Sequence, residues 1–197
     1  MNILILGSGG REHTFAWKIS QSPLCKKLFI APGNGGTSRY GKNIYVDINN
    51  FDEIKSLVID NKIDFVLVGP EDPLVNGIVD YFEQSYELKN VKIFGPNKLG
   101  AQLEGSKTFS KSFMKRHNIP SAKFKSFNLN EVDEGIKFLR NSSPPFVLKA
   151  DGLAAGKGVI ISKDLESAEN SFQNMLINKQ FGEASKKVLI EEFLSGI

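Results

Sequence analysis

The order of hydrophobic and polar positions divides the chain into two parts with different patterns. In the first hundred residues, short apolar runs, which predict buried strands, alternate with amphipathic stretches, which predict helices. The apolar runs are "NILIL" (2–6), "KLFIA" (27–31), "FVLVG" (65–69) and, more weakly, "VKIFG" (91–95). Strands that alternate with helices indicate βαβ units, so this part predicts an α/β fold with a Rossmann-like, doubly wound parallel sheet.

Two helices of this first part have start signals. Asn50 and Glu53 have the spacing of a capping box. Asp72 is predicted to cap the next helix, with Pro73 at its first position. The apolar stripe of that single predicted helix is Val75, Ile78, Val79 and Phe82.

After residue 105 the pattern becomes that of a smaller α+β unit. The predicted strands are 122–127, 146–150, 158–162 and 187–194. A helix capped by Ser106 precedes them, a second starts at Asn130, and a third is capped by Asp164. Roughly 70 residues of this kind form a domain of ordinary size.

Composition restricts the function classes. Hydrophobic residues make up 41% of the chain and charged residues 24%, which is typical of a soluble globular protein. The net charge of +3 is too small to indicate nucleic-acid binding, although it is compatible with an anionic substrate. Cys25 is the single cysteine, so we expect no internal disulfide and a cytoplasmic location. We expect neither a membrane span, which needs ~20 apolar residues, nor a signal peptide at "NILIL".

The segment "VLKADGLAAGKGVII" (147–161) carries two lysines, Lys149 and Lys157, beside a loop of small residues. It is not a Walker A loop, because Asp151 stands where the first glycine should be and Gly158 where Ser or Thr should be. Apolar strands flank it on both sides. We therefore predict a β-hairpin whose backbone amides close over phosphates as a mobile lid. The alternative is an ordinary hairpin turn with solvated lysines.

The glycine-rich segments "GSGGRE", "APGNGG" and "GPEDP" follow predicted strands, where ligands bind in parallel sheets. A dinucleotide motif would need glycine at Glu12, and the acidic residue expected about 20 residues later is missing, so a dinucleotide oxidoreductase is disfavoured. Gly9 and Gly10 still open a helix whose amides attract an anion, and Arg11 adds charge. A sugar phosphate fits this loop.

Several other residues are weaker candidates. His13 and His117 are isolated, so the sequence predicts no metal site. Cys25 has no activating neighbour and is interpreted as a structural thiol. The adjacent acids 71–72 fit a cap and a ligand site equally well. The paired acids in "IEEFL" (190–194) lie in an apolar strand, where charges need a partner or a ligand.

Six segments occur in an order that resembles a known family. They are "GSGGREH", "APGNGGT", "VGPEDPLVNGIVD", "FGPNKLGAQLEGSK", "VLKADGLAAGKGV" and "VLIEEFLSG". Together they resemble the phosphoribosylamine–glycine ligases (glycinamide ribonucleotide synthetases) of the ATP-grasp superfamily, over essentially the whole chain. The resemblance implies a Rossmann-like N-terminal domain, followed by an ATP-grasp core with a small α+β lid.

The resemblance also implies a reaction. ATP phosphorylates the carboxylate of glycine, and the amine of 5-phosphoribosylamine attacks the resulting acyl phosphate, in purine biosynthesis. No nucleophile from the enzyme is required. Catalysis would consist of positioning and of neutralising the charge of the transferred phosphoryl group, with Lys149 and Lys157 as the catalytic residues.

The family's site residues carry over onto matching positions. The ATP side comprises Lys107, Lys149, Gly152, Ala155, Gly156, Lys157, Gly158, Glu191, Glu192, Phe193 and Leu194. The phosphoribosylamine side comprises Gly9, Gly10, Arg11, Gly33, Asn34, Gly35, Gly36, Thr37, Gly69, Pro70, Glu71 and Asp72.

The predicted domains are a Rossmann-like domain (1–104), a connecting helix (105–120), the lid (121–190) and the start of a further ATP-grasp half (191–197). Family members are about twice as long by resemblance, so we expect this chain to be a fragment that is inactive alone. The ligands of the implied magnesium or manganese would then lie beyond Ile197. The alternatives are a complete, non-catalytic nucleotide- or sugar-phosphate-binding module, and another ATP-grasp carboxylate–amine ligase.

Overall fold

The computed structural model describes residues 1–196 and divides them into two compact units, Met1–Ala101 and a second that begins at Gln102. Helix α5 (Lys98–Gly105) contains the point of division. No helix among the described residues is long and apolar enough to cross a membrane. The predicted boundary at 190/191 falls inside a strand, Lys187–Glu192. The last residue of the predicted segment 191–197, Ile197, lies outside the described residues.

The first unit is built on a parallel sheet of five strands in the order β3-β2-β1-β4-β5. The strands are β1 (Asn2–Gly7), β2 (Lys27–Pro32), β3 (Lys42–Asn43), β4 (Phe65–Val68) and β5 (Lys92–Phe94). The chain winds outward from β1 in both directions, which confirms the doubly wound prediction. Strand β3 was not predicted, because a two-residue strand leaves no periodic pattern.

Helices cover both faces of this sheet. They are α1 (Gly10–Ser20), α2 (Phe51–Asp60), α3 (Glu71–Asn76) and α4 (Ile78–Gln84), with 3-10 turns at Thr37–Arg39 and Tyr86–Leu88. Strand β1 supplies Leu4 and Leu6 to one apolar core and Ile3 and Ile5 to the other. Successive strand residues point to opposite faces, so a strand buried on both sides is apolar throughout.

The predicted helix with Asp72 as its cap is wrong in two respects. The helix begins two residues earlier than predicted, at Glu71, with Pro70 as its N-cap, so Pro73 is its third residue. The predicted single helix is also two helices, because Gly77 adopts φ +98°, a left-handed conformation that suits glycine and ends α3. The Asn50 cap is confirmed, since its side chain accepts the N–H of Glu53.

The second unit is built on an antiparallel sheet of four strands in the order β6-β9-β7-β8. The strands are β6 (Phe124–Asn128), β7 (Phe146–Ala150), β8 (Val159–Ser162) and β9 (Lys187–Glu192). The helices are α6 (Lys107–Arg116), α7 (Val132–Arg140) and α8 (Leu165–Leu176), with 3-10 turns at Leu129–Glu131 and Gly182–Lys186. The α+β prediction is confirmed, although β9 ends two residues earlier than predicted.

Helices α7 and α8 pack on one face of this sheet, where Leu148 and Ile190 join their apolar residues in a single core. The residues next to these on the strands, Lys149 and Glu191, belong to the opposite face by strand alternation. The predicted caps of α6 and α8 are confirmed, since the Ser106 and Asp164 side chains each accept a backbone N–H three residues later.

Candidate functional site

The predicted hairpin is confirmed in the second unit as residues 151–158, between β7 and β8. The N–H of Ala150 donates to the carbonyl of Gly158 over 2.8 Å and closes the loop at its base. A second bond of 2.8 Å, from Lys157 N–H to Ala154 O, forms the tip. Ala155 (φ +48°) and Gly156 (φ +76°) turn the chain there in left-handed conformations.

The hairpin glycines meet two different needs. A Cβ at Gly158 would lie 2.7 Å from the Cβ of Ala154, and one at Gly152 would lie 2.9 Å from the Cα of Ala184. Gly158 therefore permits close packing within the loop, and Gly152 permits close packing of the loop against the turn Gly182–Lys186, which contains Ala184. Gly156 has no atom within 4 Å of such a Cβ, so its backbone at the tip is open to an incoming group.

Lys149 lies at the base of the hairpin and forms an ion pair with a buried carboxylate. Its Nζ is 2.8 Å from Oε2 of Glu191, and Nζ of Lys111 is 3.3 Å from the same oxygen. Glu191 is only 6% exposed, and its Oε1 has no hydrogen-bond partner within residues 1–196. One carboxylate therefore faces two ammonium groups, which leaves a surplus of positive charge beside the hairpin.

Lys111 was missed by the sequence reasoning. It also donates to Oγ of Ser121 over 2.7 Å and to the carbonyl of Ala122 over 3.1 Å. Its side chain is largely buried, so these contacts hold it in place beside Glu191. Its spacing of four residues from Lys107, which puts both on one face of a helix, was the available signal.

Lys107 is directed at the hairpin base as well. Its Nζ donates to the carbonyl of Gly152 over 3.0 Å and lies 3.4 Å from that of Asp151. Burial lowers the pKa of this ammonium, and the nearby Lys149 lowers it further, while Asp151 opposes both. The structure thus brings Lys107, Lys149 and the base of the hairpin together.

Lys157 is exposed at the tip, and its side chain makes no hydrogen bond or ion pair within the described part of the chain. Glu192 is exposed too, and its Oε1 accepts the N–H of Lys123 over 2.8 Å. It follows Glu191 directly on β9, so the two side chains point to opposite faces. Phe193 and Leu194 are 45% and 64% exposed.

A cavity of about 550 Å³ adjoins the end of β9. It is lined partly by aromatic rings, among them Phe124, Phe138, Phe146 and Phe193, together with Glu191 and Glu192. Its volume lies within the range of roughly 300–1,000 Å³ found for small-molecule sites. Three of the four predicted residues 191–194 thus border a space that could hold a planar ring.

In the first unit, the loop after β1 is organised by Glu12, whose role the sequence reasoning missed. Glu12 is 4% exposed, and its Oε2 accepts the N–H of Gly9 over 2.6 Å. A Cβ at Gly69 would lie 2.1 Å from its Oε1, and a Cβ at Gly7 2.6 Å from its Cγ. Glu12 therefore fills the space between the ends of β1 and β4, and the Gly9 amide is already bonded.

The three predicted loops of the first unit converge at this edge of the sheet. Arg11 donates to the carbonyl of Gly69 over 2.6 Å, and its Nη1 is 3.9 Å from Oε2 of Glu71. Asn34 donates to the carbonyl of Ser8 over 2.8 Å. The exposed Arg11–Glu71 pair contributes little stability, and the N–H groups of the guanidinium that do not bond to Gly69 can bind an anion.

Thr37, a predicted substrate residue, is held by hydrogen bonds to its own loop and to strand β3. It is fully buried, and its hydroxyl donates to Oδ1 of Asn43 over 2.8 Å and lies 2.9 Å from the carbonyl of Asn34. Asn43, on the unpredicted strand β3, also donates to the Asn34 carbonyl over 2.8 Å. These bonds give loop 33–37 its shape.

The remaining candidates have packing roles. The His13 ring lies 5.5 Å from that of Tyr40, and a Cβ at Gly36 would be 2.7 Å from its Cε1. Burial raises the pKa of the Cys25 thiol, which suits a structural residue. Among residues 1–196, no group of three or more His, Cys, Asp or Glu side chains could hold a metal ion.

Residues 105–197, which contain the hairpin, match the model of an ATP-grasp domain, so the class is an ATP-grasp protein. One similar solved structure is the biotin carboxylase domain of a 2-oxoglutarate carboxylase from Hydrogenobacter thermophilus, in complex with MgADP. Its TM-score is 0.76 at 19% identity, over 98% of this chain and 44% of that chain. At this identity the likeness shows the fold alone.

The family is shown by the sequence. Residues 1–104 match the model of the phosphoribosylglycinamide synthetase N domain, and residues 105–197 match that of its ATP-grasp (A) domain. The chain belongs to the phosphoribosylglycinamide synthetase family, and the predicted resemblance is confirmed.

Individual relatives agree. A phosphoribosylamine–glycine ligase of Haemophilus influenzae is 49% identical over 198 residues, which cover 100% of this chain and 45% of the relative. The phosphoribosylamine–glycine ligase of Clostridium acetobutylicum is 46% identical, over 100% of this chain and 46% of the relative. The crystal structure of a phosphoribosylamine–glycine ligase from Thermotoga maritima has a TM-score of 0.77 at 33% identity, over 100% of this chain and 45% of that one. The chain thus spans about 45% of the length of these relatives.

Proposed function

We propose that this chain is part of an enzyme that ligates glycine to 5-phosphoribosylamine in purine biosynthesis, in the cytoplasm. ATP is converted to ADP and phosphate, and the product is glycinamide ribonucleotide. Family membership and the names of the relatives support this assignment. The structural observation that carries it is the shared carboxylate of Glu191, which leaves Lys149 and Lys111 with surplus positive charge beside an open glycine hairpin.

We place the ATP phosphates at this hairpin. Lys107 and Lys149 approach the hairpin base, and the exposed Lys157 lies at its tip. The backbone amides at Ala155 and Gly156 complete the lid. We place the purine beside residues 191–194, where the cavity is lined by aromatic rings that suit a flat base.

We place the phosphate of 5-phosphoribosylamine at the converging loops of the first unit. The Gly9 amide is bonded to Glu12, so the donors left for the phosphate are the Gly10 amide and Arg11. Loops 33–37 and 69–72 then contact the sugar. Thr37 contributes through the shape of its loop.

The chemistry needs no covalent link to the protein. An oxygen of the glycine carboxylate attacks the γ-phosphorus of ATP, and ADP leaves. The amine of 5-phosphoribosylamine then attacks the carbonyl carbon of glycyl phosphate, phosphate leaves, and the amine loses a proton. Lys149 and Lys157 offset the negative charge on the transferred phosphoryl group.

ATP-grasp ligases use a divalent metal, which neutralises charge between the phosphates when it is bound. The carboxylates of residues 1–196 do not form a cluster that fits it. We assign no metal ligand in this range and propose that the magnesium or manganese ligands lie beyond Ile197. The 197-residue chain is then expected to bind ATP without turnover.

The test is ADP release with MgATP, glycine and freshly generated phosphoribosylamine, each omitted in turn, alongside calorimetric titration with ATP. ATP binding without ADP release supports the assignment of an ATP site in an incomplete enzyme. Release that requires all three substrates establishes the ligase and shows that the expectation of inactivity is wrong. Failure of ATP to bind would contradict the phosphate site at the hairpin.

A further inference from the structure

The first turn of helix α6 is tied to the base of the hairpin through Asp151. The Asp151 carboxylate accepts the N–H of Thr108 over 2.6 Å and the hydroxyl of Ser106 over 2.9 Å. Its main-chain carbonyl accepts the N–H of Lys107 over 3.0 Å. The first N–H groups of a helix have no partner within the helix. Asp151 therefore supplies, from a different element, acceptors that cap the start of α6.

Asp151 is itself held from the other side. Its N–H donates to the carbonyl of Lys187 over 3.0 Å, and the N–H of Gly152 donates to the carbonyl of Ala184 over 3.2 Å. These acceptors belong to the start of β9 and the turn before it. Residues 151 and 152 are thus fixed between α6 and the segment that leads into β9. The tip of the hairpin follows directly after them in the chain.

Lys107 lies between Ser106 and Thr108, the two residues that bond to the Asp151 carboxylate, and its ammonium donates to the Gly152 carbonyl. Its charged neighbours are Asp151, Lys149, Glu104 and Glu191. Burial is the main influence and lowers the pKa of Lys107, while the negative charge of Asp151 opposes this. Asp151 therefore affects both the direction and the charge of Lys107.

We propose that Asp151 is a positioning residue of the nucleotide site, which fixes the first turn of α6 to the hairpin and holds Lys107, charged, at the loop base. This inference rests on the proposed function, in which ATP phosphates bind there. Asp151 acts through Lys107 and contacts no phosphate itself. The observation behind it is that one residue bonds the backbone on both sides of the hairpin base.

The test that does not depend on ATP is an NMR titration of the lysine side chains in the unliganded chain. Lys107→Met identifies the Lys107 signal by its loss. In the wild type, Lys107 should titrate below the ordinary range of a lysine, and in Asp151→Asn lower still, because a neutral amide no longer favours the ammonium. Asp164→Asn is the matched control, since Asp164 caps α8 with the same chemistry and does not face Lys107. An unchanged Lys107 titration in Asp151→Asn would overturn the proposal.

The functional test is calorimetric titration with ATP. Asp151→Asn should bind ATP about tenfold more weakly, and its affinity should fall at a lower pH than that of the wild type, whereas Asp164→Asn should match the wild type. If the wild type binds no ATP, the proposed nucleotide site fails, and the NMR titration still decides whether Asp151 controls Lys107. Equal losses of ATP affinity in Asp151→Asn and Asp164→Asn would mean that Asp151 acts only as a helix cap, and would overturn its positioning role.

Amide hydrogen exchange in the wild type provides a test that does not depend on whether a variant folds. Thr108 and Glu166 are each the second residue of their helices, α6 and α8. The N–H of Thr108 is bonded to Asp151, whereas that of Glu166 has no acceptor among residues 1–196. Thr108 should therefore exchange more slowly. Equal rates would show that the bond between Asp151 and α6 does not persist in solution.

Discussion

Lys149 on β7 and Glu191 on β9 form a diagonal ion pair across the centre of the antiparallel sheet. The residue directly opposite Glu191 is Val147, two positions before Lys149. The Lys149 ammonium nevertheless reaches Oε2 of Glu191 at 2.8 Å, while Lys111 approaches the same oxygen from α6. Lys149 is therefore held in one position, yet Glu191 offsets only part of the local positive charge.

This relationship predicts that Lys149 matters for nucleotide binding. Lys149→Ala should weaken ATP binding by about ten- to a hundredfold, which corresponds to the loss of a charge-assisted hydrogen bond of roughly 1.5–3 kcal/mol. Lys163→Ala is the control, because Lys163 is an exposed lysine just after β8. Calorimetric titration measures both. Equal effects would mean that the hairpin does not bind phosphates.

Glu191 and Glu192 should differ in their effect on stability. Glu191→Gln leaves two ammonium groups facing a neutral amide, and breaking a largely buried ion pair of this kind should lower the free energy of unfolding by roughly 3 kcal/mol. Glu192→Gln changes an exposed carboxylate and should cost no more than about 0.5 kcal/mol. Urea denaturation of the two variants compares them. A similar loss in both would argue against the central role of Glu191.

Much of the fold could be predicted because burial leaves a local pattern. A strand buried on both faces is a continuous apolar run, which is why β1, β2 and β4 were found within one residue of their ends. The break at Gly77 was missed, because a stripe of apolar residues continues through it and only the left-handed backbone reveals it. Strand β3 was also missed, because its two residues are defined by pairing with β2 and not by a local apolar pattern.

The site was predictable to the extent that it lies in continuous loops. The hairpin and Lys149 could be read from one segment of sequence. The bonds of Glu191 to Lys111 and of Asp151 to α6 could not, because strand register and helix packing bring together residues that are far apart in the chain. Glu12 appeared in the sequence only as a departure from a motif, whereas in the structure it fills the space that Gly7 and Gly69 leave.

Because Glu12 fills the space beside Gly69, we expect even an alanine at position 69 to destabilise the fold. Gly69→Ala would place a Cβ 2.1 Å from Oε1 and 2.5 Å from Cγ of Glu12, so this buried side chain would have to leave its bond with Gly9. We expect the free energy of unfolding to fall by about 2 kcal/mol, as in an overpacked core. Gly10→Ala is the control, because nothing lies within 4 Å of its Cβ position.

A double-mutant cycle tests the cause. If Glu12 is the obstacle, Gly69→Ala should cost much less when Glu12→Ala is already present, since the two residues are in contact and their effects should not add. Urea denaturation of the four proteins gives the coupling. Additive losses would mean that the alanine at 69 acts through another contact.

Tyr81 provides a pH-dependent test of the first unit. Its hydroxyl donates to Oδ1 of Asp52 over 2.5 Å, and this bond is the main influence that raises its pKa to about 12. Between the ordinary tyrosine pKa of about 10 and this value, the unfolded chain loses the proton while the folded chain retains it. This contribution to stability is therefore present at lower pH and is lost as the pH rises through that window. Absorbance titration should show one of the four tyrosines ionising late. Asp52→Asn should bring the pKa of Tyr81 back toward its ordinary value. Asp60→Asn is the control, because Asp60 lies at the other end of the same helix and should leave this pKa unchanged. If a tyrosine still ionises late in Asp52→Asn, this hydrogen bond is not the cause.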